Sequence, residues 1–234
     1  MSGWAAKRFW KEASVEQTPD GFTVMLDGRA VKTPAKTPLI LPTRLMAGAV
    51  AQEWDAQDGV IDPNGMPVTR SANAAIDKVA TQHAEVAGLL AEYGATDLLC
   101  YRAESPVELV QRQAAAWDPL LDWAEEALQV RLIPAAGVMF VPQDPDALAR
   151  LSARVAELDA FRLAAFHDLV GMSGSLILGF ATAHDRLSPE EAWALSRLDE
   201  TWQEEQWGED EEATAQAALK KQAFIHAKRF YALS

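Results

Sequence analysis

The sequence predicts an α+β protein, a small β-rich N-terminal domain followed by a larger all-α helical domain. Three observations predict it. Turn signals at Pro19-Asp20-Gly21 and Asp27-Gly28 bracket a short β-branched and aromatic run, Phe22 to Leu26. The apolar period then changes from two to about 3.6 at Thr43. Two later segments, Ser105-Pro106-Val107-Glu108 and Ser188-Pro189-Glu190-Glu191, carry the grammar of a helix start, with a capping hydroxyl, proline at the first helical position and glutamate three residues after the cap.

Residues 1–42 form the β-rich part of the N-terminal domain. Phe9 to Val15 is a mixed run, Phe22-Thr23-Val24-Met25-Leu26 a strand, and Arg29-Ala30-Val31-Lys32 its return after the hairpin turn, with Leu39-Ile40-Leu41 as a last apolar run after Pro34 and Pro38. Residues 43–100 hold helices that complete or link this domain. Thr43 is placed to cap the first, and Leu45, Met46, Ala49, Val50 and Trp54 follow on one stripe, ending at Asp58-Gly59. Trp54 is expected in the core. A second helix is expected from Thr69 to Tyr93, with Ala72, Ile76, Val79, Val86 and Leu90 inward and Gly94 as C-cap.

Residues 101–234 form the helical domain. Ser105 should cap a helix that Trp117-Asp118-Pro119 interrupts, with Asp118 capping its continuation. Leu132 to Val141, holding Pro134 and Gly137, is strand-like. Asp144-Pro145 opens further helices, Gly208 closes the one begun at Ser188, and a last helix spans Asp210 to Tyr231 with Leu219, Phe224, Ala227 and Tyr231 as apolar positions.

Composition narrows the function. Hydrophobic residues are 49% and charged residues 24%, a globular balance in which 234 residues can bury a sizeable core. The most apolar stretch, Leu176 to Ala183, is too short to span a bilayer, and the first ten residues lack a secretory apolar core. The single cysteine, Cys100, excludes an internal disulfide and a thiolate metal cluster, so a reducing cytoplasm is the expected location. A net charge of −13 argues against nucleic acid and favours a partner with a basic or mixed surface.

Chemical motifs are sparse. Neither a phosphate-cradling Gly-x-x-x-x-Gly-Lys nor a Gly-x-Gly-x-x-Gly pattern occurs, and Gly171-Met172-Ser173-Gly174-Ser175 lacks the lysine, so its small residues are read as letting helices approach closely. The four histidines are far apart and none has ligand-pair spacing, so no metal and no cofactor is expected. His184-Asp185 with Ser188 nearby, or Cys100, would be the parts of a hydrolase-type enzyme. A helix-end histidine and a buried, inert thiol are the plainer readings.

The strongest feature is acidic and tryptophan-bearing. From Asp199 to Glu212 there are eight carboxylates and no Lys or Arg. On a helix at about 100° per residue, Leu195, Leu198 and Trp202 cluster on one face, while Trp193, Glu200, Glu204 and Trp207 fall about 180–240° away with Gln203 beside them. Glu209 to Glu212 reads as a solvated helix start. Aromatics beside carboxylates on an outward face suit a protein interface, so Glu200, Trp193, Gln203, Glu204 and Trp207 are the candidate partner-binding residues.

These same residues carry a resemblance. Glu92-Tyr93-Gly94-Ala95-Thr96-Asp97-Leu98-Leu99-Cys100-Tyr101-Arg102-Ala103, then Arg112 to Leu121, then Leu198-Asp199-Glu200 with Trp207-Gly208, resemble the ATP synthase assembly-chaperone family that acts on the alpha subunit. Arg8-Phe9-Trp10-Lys11 and Leu26 to Pro34 look like the family's start. The resemblance implies a small α/β domain joined to a helical one, and a non-enzymatic chaperone of mitochondria and related alphaproteobacteria. It would hold free alpha subunit until alpha pairs with beta. It also implies a functionally important glutamate in the C-terminal region, placed at Glu200 by the Leu-acid-Glu pattern. A scaffold with a different client is the remaining alternative.

Overall fold

The computed structural model describes residues 7–137 and 139–234. The fold is α+β, with a short antiparallel sheet near the N-terminus and helices through the remainder. The described chain divides into two compact units. Among the described residues, the first comprises 7–82, 159–164 and 229–234, and the second lies within 83–158 and 165–228. The expected helical stretch 43–100 lies across that division.

In the first unit, β1 (Ala13–Thr18), β2 (Gly21–Leu26) and β3 (Arg29–Ala30) form the sheet in sequence order. Val15 opposes Val24, and Met25 opposes Ala30. Asp27 and Gly28 both adopt positive φ, 46° and 79°, as a two-residue primed hairpin turn requires. The Asp27 carboxylate also accepts from the backbone N–H groups of Lys11 and Glu12, which pins the stretch before β1. Helix α1 (Arg44–Asp55) packs on β1 and β2. Thr43 caps it, accepting from Met46 N at 3.1 Å. Met46, Ala47, Val50 and Ala51 are its buried face, whereas Leu45 is 72% exposed, one position off the expected stripe.

Helix α2 (Pro67–Ala74) begins where Glu53 of α1 accepts from Val68 N at 2.7 Å and Thr69 N at 2.8 Å, a carboxylate cap supplied by a neighbouring helix. The single long helix expected over 69–93 is not formed. A π-turn over Ala75–Val79, in which Ala80 N donates to Ala75 O, ends the first piece. Thr81 then donates its hydroxyl back to Lys78 O, and α3 (His83–Ala91) starts afresh. Val79 and Leu90 are both buried, so the apolar period survived although the helix did not.

Trp54 is half-buried. Its ring meets the buried Trp10 edge-on at 5.2 Å, with the Nε1 of both indoles inside and unpaired. The core tryptophan of the first unit is therefore Trp10, not the expected Trp54. Trp54→Arg is expected to lose this ring contact and cost about 2–4 kcal/mol, measured as a lower urea midpoint, with the arginine stem keeping part of the contact.

In the second unit, Glu92–Thr96 forms a 3-10 turn after α3. Gly94 is not a C-cap. It is buried there because a Cβ would sit 3.1–3.3 Å from the side chains of Leu148, Leu151 and Leu176. β4 (Tyr101–Arg102) pairs in parallel with β5 (Ala135–Ala136), which is all the strand among the described residues of Leu132–Val141; Gln143 brackets that loop by accepting from Ile133 N and donating to Ile133 O. Helix α4 (Val107–Leu128) is continuous through Pro119. Proline removes only its own N–H here, while Trp117, Leu120, Leu121, Ala124 and Leu128 keep one buried face over the whole length. Ser105 forms no cap, since Pro106 takes that position without a side-chain bond, and Asp118 pairs with Arg102 at 2.8 Å instead of capping.

Helices α5 (Pro145–Ala156), α6 (Ala160–Ser173), α7 (Leu176–Ala183), α8 (Pro189–Ser196), α9 (Leu198–Trp207) and α10 (Glu211–Leu233) follow. Asp144 caps α5, and Ser188 with Glu191 forms both bonds of a capping box at α8. Every residue of α7 is buried. The close helix approach expected at Gly171–Ser175 occurs at Gly179, where a Cβ would lie 2.8 Å from Val170 and 3.2 Å from Phe166 of α6; nothing lies within 4 Å of a Cβ at Gly171. On α10, Phe224 and Ala227 are buried, while Leu219 faces out.

Candidate functional site

The acidic segment is not one helix. Arg197 stands between α8 and α9 with φ −107° and ψ 16°, outside the helical region, so angles counted through it lose their meaning. Trp193 is the casualty. It is 7% exposed, packs on Phe224 at 5.9 Å between ring centroids, and shares a core with Leu169, Ala192 and Ala227. A buried indole there offers nothing to an incoming surface. Leu198 is buried as expected, and Trp202 is half-buried with the Arg112 guanidinium 5.8 Å above its ring.

The other four candidates lie together on α9. Glu200 and Glu204 are half-buried, Gln203 is exposed, and Trp207 is 80% exposed just before Gly208, whose φ of 92° closes the helix. Arg197 sits between the two glutamates, 3.1 Å from Glu200 and 3.5 Å from Glu204. Glu205 takes both guanidinium nitrogens of Arg112 at 2.5 and 2.9 Å, and that bidentate pair holds its carboxyl below the ordinary glutamate range. Much of the apparent charge of the helix is thus paired at its base, leaving an outward strip with an indole at its end.

Gln113 of α4 ties this helix to the chain before it. Its Oε1 accepts from Ala103 N at 2.8 Å, and its Nε2 donates to Asp199 at 2.7 Å. The bond sets the first turn of α9 beside the segment after β4. Between them opens a cleft of about 560 Å³, lined by Tyr101, Glu104, Ser105, Gln113, Gly137 and Asp199 among others. Sequence reasoning missed Gln113, Arg112 and Glu104. A signal existed for Gln113, an amide on the inward stripe of α4 that runs on through Trp117, Leu121 and Leu128.

The residues suited to a hydrolase are otherwise engaged. The Cys100 thiol is buried, and burial together with the Asp97 charge pushes it up to about 12, so almost no thiolate forms near neutral pH. His184 ends α7 beside Trp123 at 6.2 Å, and Asp185 pairs with Lys228 at 2.7 Å. Ser188 spends its hydroxyl on the capping box. Within Gly171–Ser175, the Ser175 hydroxyl accepts from Leu178 N to cap α7, and Ser173 donates to Leu169 O. Among the described residues, no group of three His, Cys, Asp or Glu is placed to hold a metal ion, and no helix is long and apolar enough to cross a membrane.

Comparison with known proteins places this architecture. The family model for the ATP12 chaperone protein matches residues 7–125, just over half of the chain. Protein atp12, mitochondrial, of Schizosaccharomyces pombe is 29% identical over 219 residues, covering 88% of this chain and 75% of that one. The crystal structure of Atp12 from Paracoccus denitrificans superposes with a TM-score of 0.97 at 52% identity over 99% of both chains, and an aspartate-to-lysine mutant of it does the same. The Atu1473 protein of Agrobacterium tumefaciens gives a TM-score of 0.88 at 43% identity, over 95% of this chain and 85% of that one.

Proposed function

From the premise that the chain belongs to the ATP12 chaperone family, we propose that it is a non-enzymatic assembly chaperone of ATP synthase that binds the unassembled alpha subunit. One observation carries this reading. The likeness to Atp12 extends over 99% of the chain, both units included, rather than over one shared module. The α9 strip of Glu200, Gln203, Glu204 and Trp207 is the part of the site best suited to a partner, because its large exposed indole lies beside charge on a rigid helix. Trp193 acts behind it, as core.

The physical logic follows from what a lone subunit exposes. Its unassembled faces are apolar and aggregate. A chaperone that covers them with a few anchors and a charged rim prevents aggregation, and it releases the client when beta offers tighter contacts. A cytoplasmic location in a bacterium accords with this role, as does activity without nucleotide or metal.

Purified alpha subunit, diluted from denaturant, tests the reading. Light scattering should stay low in the presence of this chain and rise without it. Equal aggregation in both samples would reject the alpha subunit as client. Within that assay, Glu200→Lys is expected to weaken binding at least tenfold. Stability should change by less than about 1 kcal/mol, because the Arg197–Glu200 pair is solvent-screened and Glu204 remains beside Arg197. A large drop in melting temperature would make Glu200 structural instead.

A further inference from the structure

We infer that the loop carrying Ile133, Met139, Phe140 and Val141, with the acidic cleft beside it, seats an extended client segment bearing a lysine or arginine next to a large apolar residue. The inference rests on the chaperone reading above and adds a docking surface that the α9 strip does not contain.

The loop presents apolar side chains from a firm base. Met139 is 76% exposed, Phe140 58% and Ile133 49%, a cluster of outward hydrophobics within nine residues. Scattered single exposures are ordinary on a protein surface, but a contiguous group marks a contact site. The flanks of the loop are held in place. Gln143 holds Ile133 by both backbone groups, Ala135–Ala136 pairs with Tyr101–Arg102, and Gly137 N donates to Arg102 O at 2.9 Å. Methionine adds an adaptable thioether, suited to clients of varied shape.

The cleft adjoins this loop. Tyr101 lines it and also lines a small hollow shared with Ile133, Met139 and Val141. Gly137 forms part of the cleft wall at φ +83°. A Cβ there would come within 2.9 Å of the Glu104 carboxylate, so the glycine lets that acid lie against the loop. Two carboxylates, Glu104 and Asp199, line the cleft, and its one cation, Arg102, is drawn to Asp118. Neither Glu104 nor Asp199 has a Lys or Arg partner among the described residues. The two carboxylates of the cleft therefore lack a cationic partner, which a client can supply, while the apolar tips take up the neighbouring side chain. A second copy of this chain, with net charge −13, is a poor occupant because the two copies repel.

The test uses the full chain and purified alpha subunit. Phe140→Asp and Glu104→Lys should each weaken binding roughly tenfold or more, with circular dichroism melts unchanged, and the Glu104→Lys loss should shrink at high salt. A photo-crosslinking residue at position 140 should capture alpha. Wild-type binding with both variants unaffected overturns this inference and leaves the chaperone reading standing. Failure of wild type to bind alpha overturns both. Wild-type self-association that Phe140→Asp abolishes would give the surface to a second copy and overturn the inference. Should Phe140→Asp unfold, Glu104→Lys at an exposed position and the crosslink decide alone.

Discussion

Asp97→Ala is expected to cost about 3–5 kcal/mol of stability, read as a fall in urea midpoint at neutral pH with little change in slope. Asp97 is completely buried between the 3-10 turn Leu98–Cys100 and the start of α7. Its Oδ1 accepts from Leu99 N at 3.0 Å, and its Oδ2 accepts from Ile177 N at 3.1 Å, with Ser175 also donating. Alanine leaves those donors buried and unpaired. Burial pushes the carboxyl up to about 6, while the donors pull it down. The folded value thus lies above the unfolded one of about 3.9. Between about pH 4 and 6 the native state holds the proton more tightly, so the contribution of Asp97 to stability is greatest at low pH, falls as pH rises through 6 and is level above it. Asp97→Asn cannot titrate. The stability difference between wild type and Asp97→Asn should accordingly shrink in favour of the variant from pH 4 to 6 and stay constant from 7 to 8. A difference that is flat throughout would show that Asp97 titrates alike folded and unfolded.

Trp117→Ala should be comparably damaging, about 3–5 kcal/mol, by a different route. The indole is fully buried on α4, its Nε1 donates to Leu195 O at 3.0 Å, and Arg102 lies 5.2 Å above its ring. Truncation removes a large apolar body, takes the donor from the part-buried Leu195 carbonyl and frees the end of α8 beside α9. Since a domain commonly has only about 5–15 kcal/mol to lose, the variant should melt far below wild type and lose client binding indirectly. Trp117→Phe, which keeps most of the volume but not the donor, should recover about half of the loss. A well-folded Trp117→Ala chain that still fails to bind alpha would move this residue from core to interface.

The contrast among tryptophans shows how far residue patterns reach. Trp54 is expected on an apolar stripe and Trp193 on an outward face, yet the first is half-buried against Trp10 and the second is enclosed beside Phe224. Periodicity reports which face of a helix is apolar, and it assumes that the helix continues. At Arg197 that assumption fails, and with it the side on which Trp193 should point. At Pro119 the reverse occurs: a local breaker is overridden because the buried face on either side outweighs one lost hydrogen bond. The outward strip of α9 was legible in part, through Glu200, Gln203, Glu204 and Trp207. Glu104, Gln113 and the exposed loop after Ile133 were not, because nothing in local spacing relates residue 104 to 137 or 113 to 199.

The sequence by itself determined the α+β class, the hairpin at Asp27-Gly28, the caps at Thr43, Asp144 and Ser188, and the exclusion of phosphate-loop motifs. Each depends on backbone preferences and hydrogen bonds among residues a few positions apart, which the local chain already specifies. Its long blocks of resemblance also indicated the family. Only the tertiary structure decided where helices break, that Trp193 lies inside, that Arg112 neutralises Glu205, and that Gln113 joins the segment after β4 to α9 around an acidic cleft. Those outcomes depend on which distant groups are brought within about 3 Å of one another. A buried amide or an unpaired carboxylate acquires its role only when folding has chosen its neighbours.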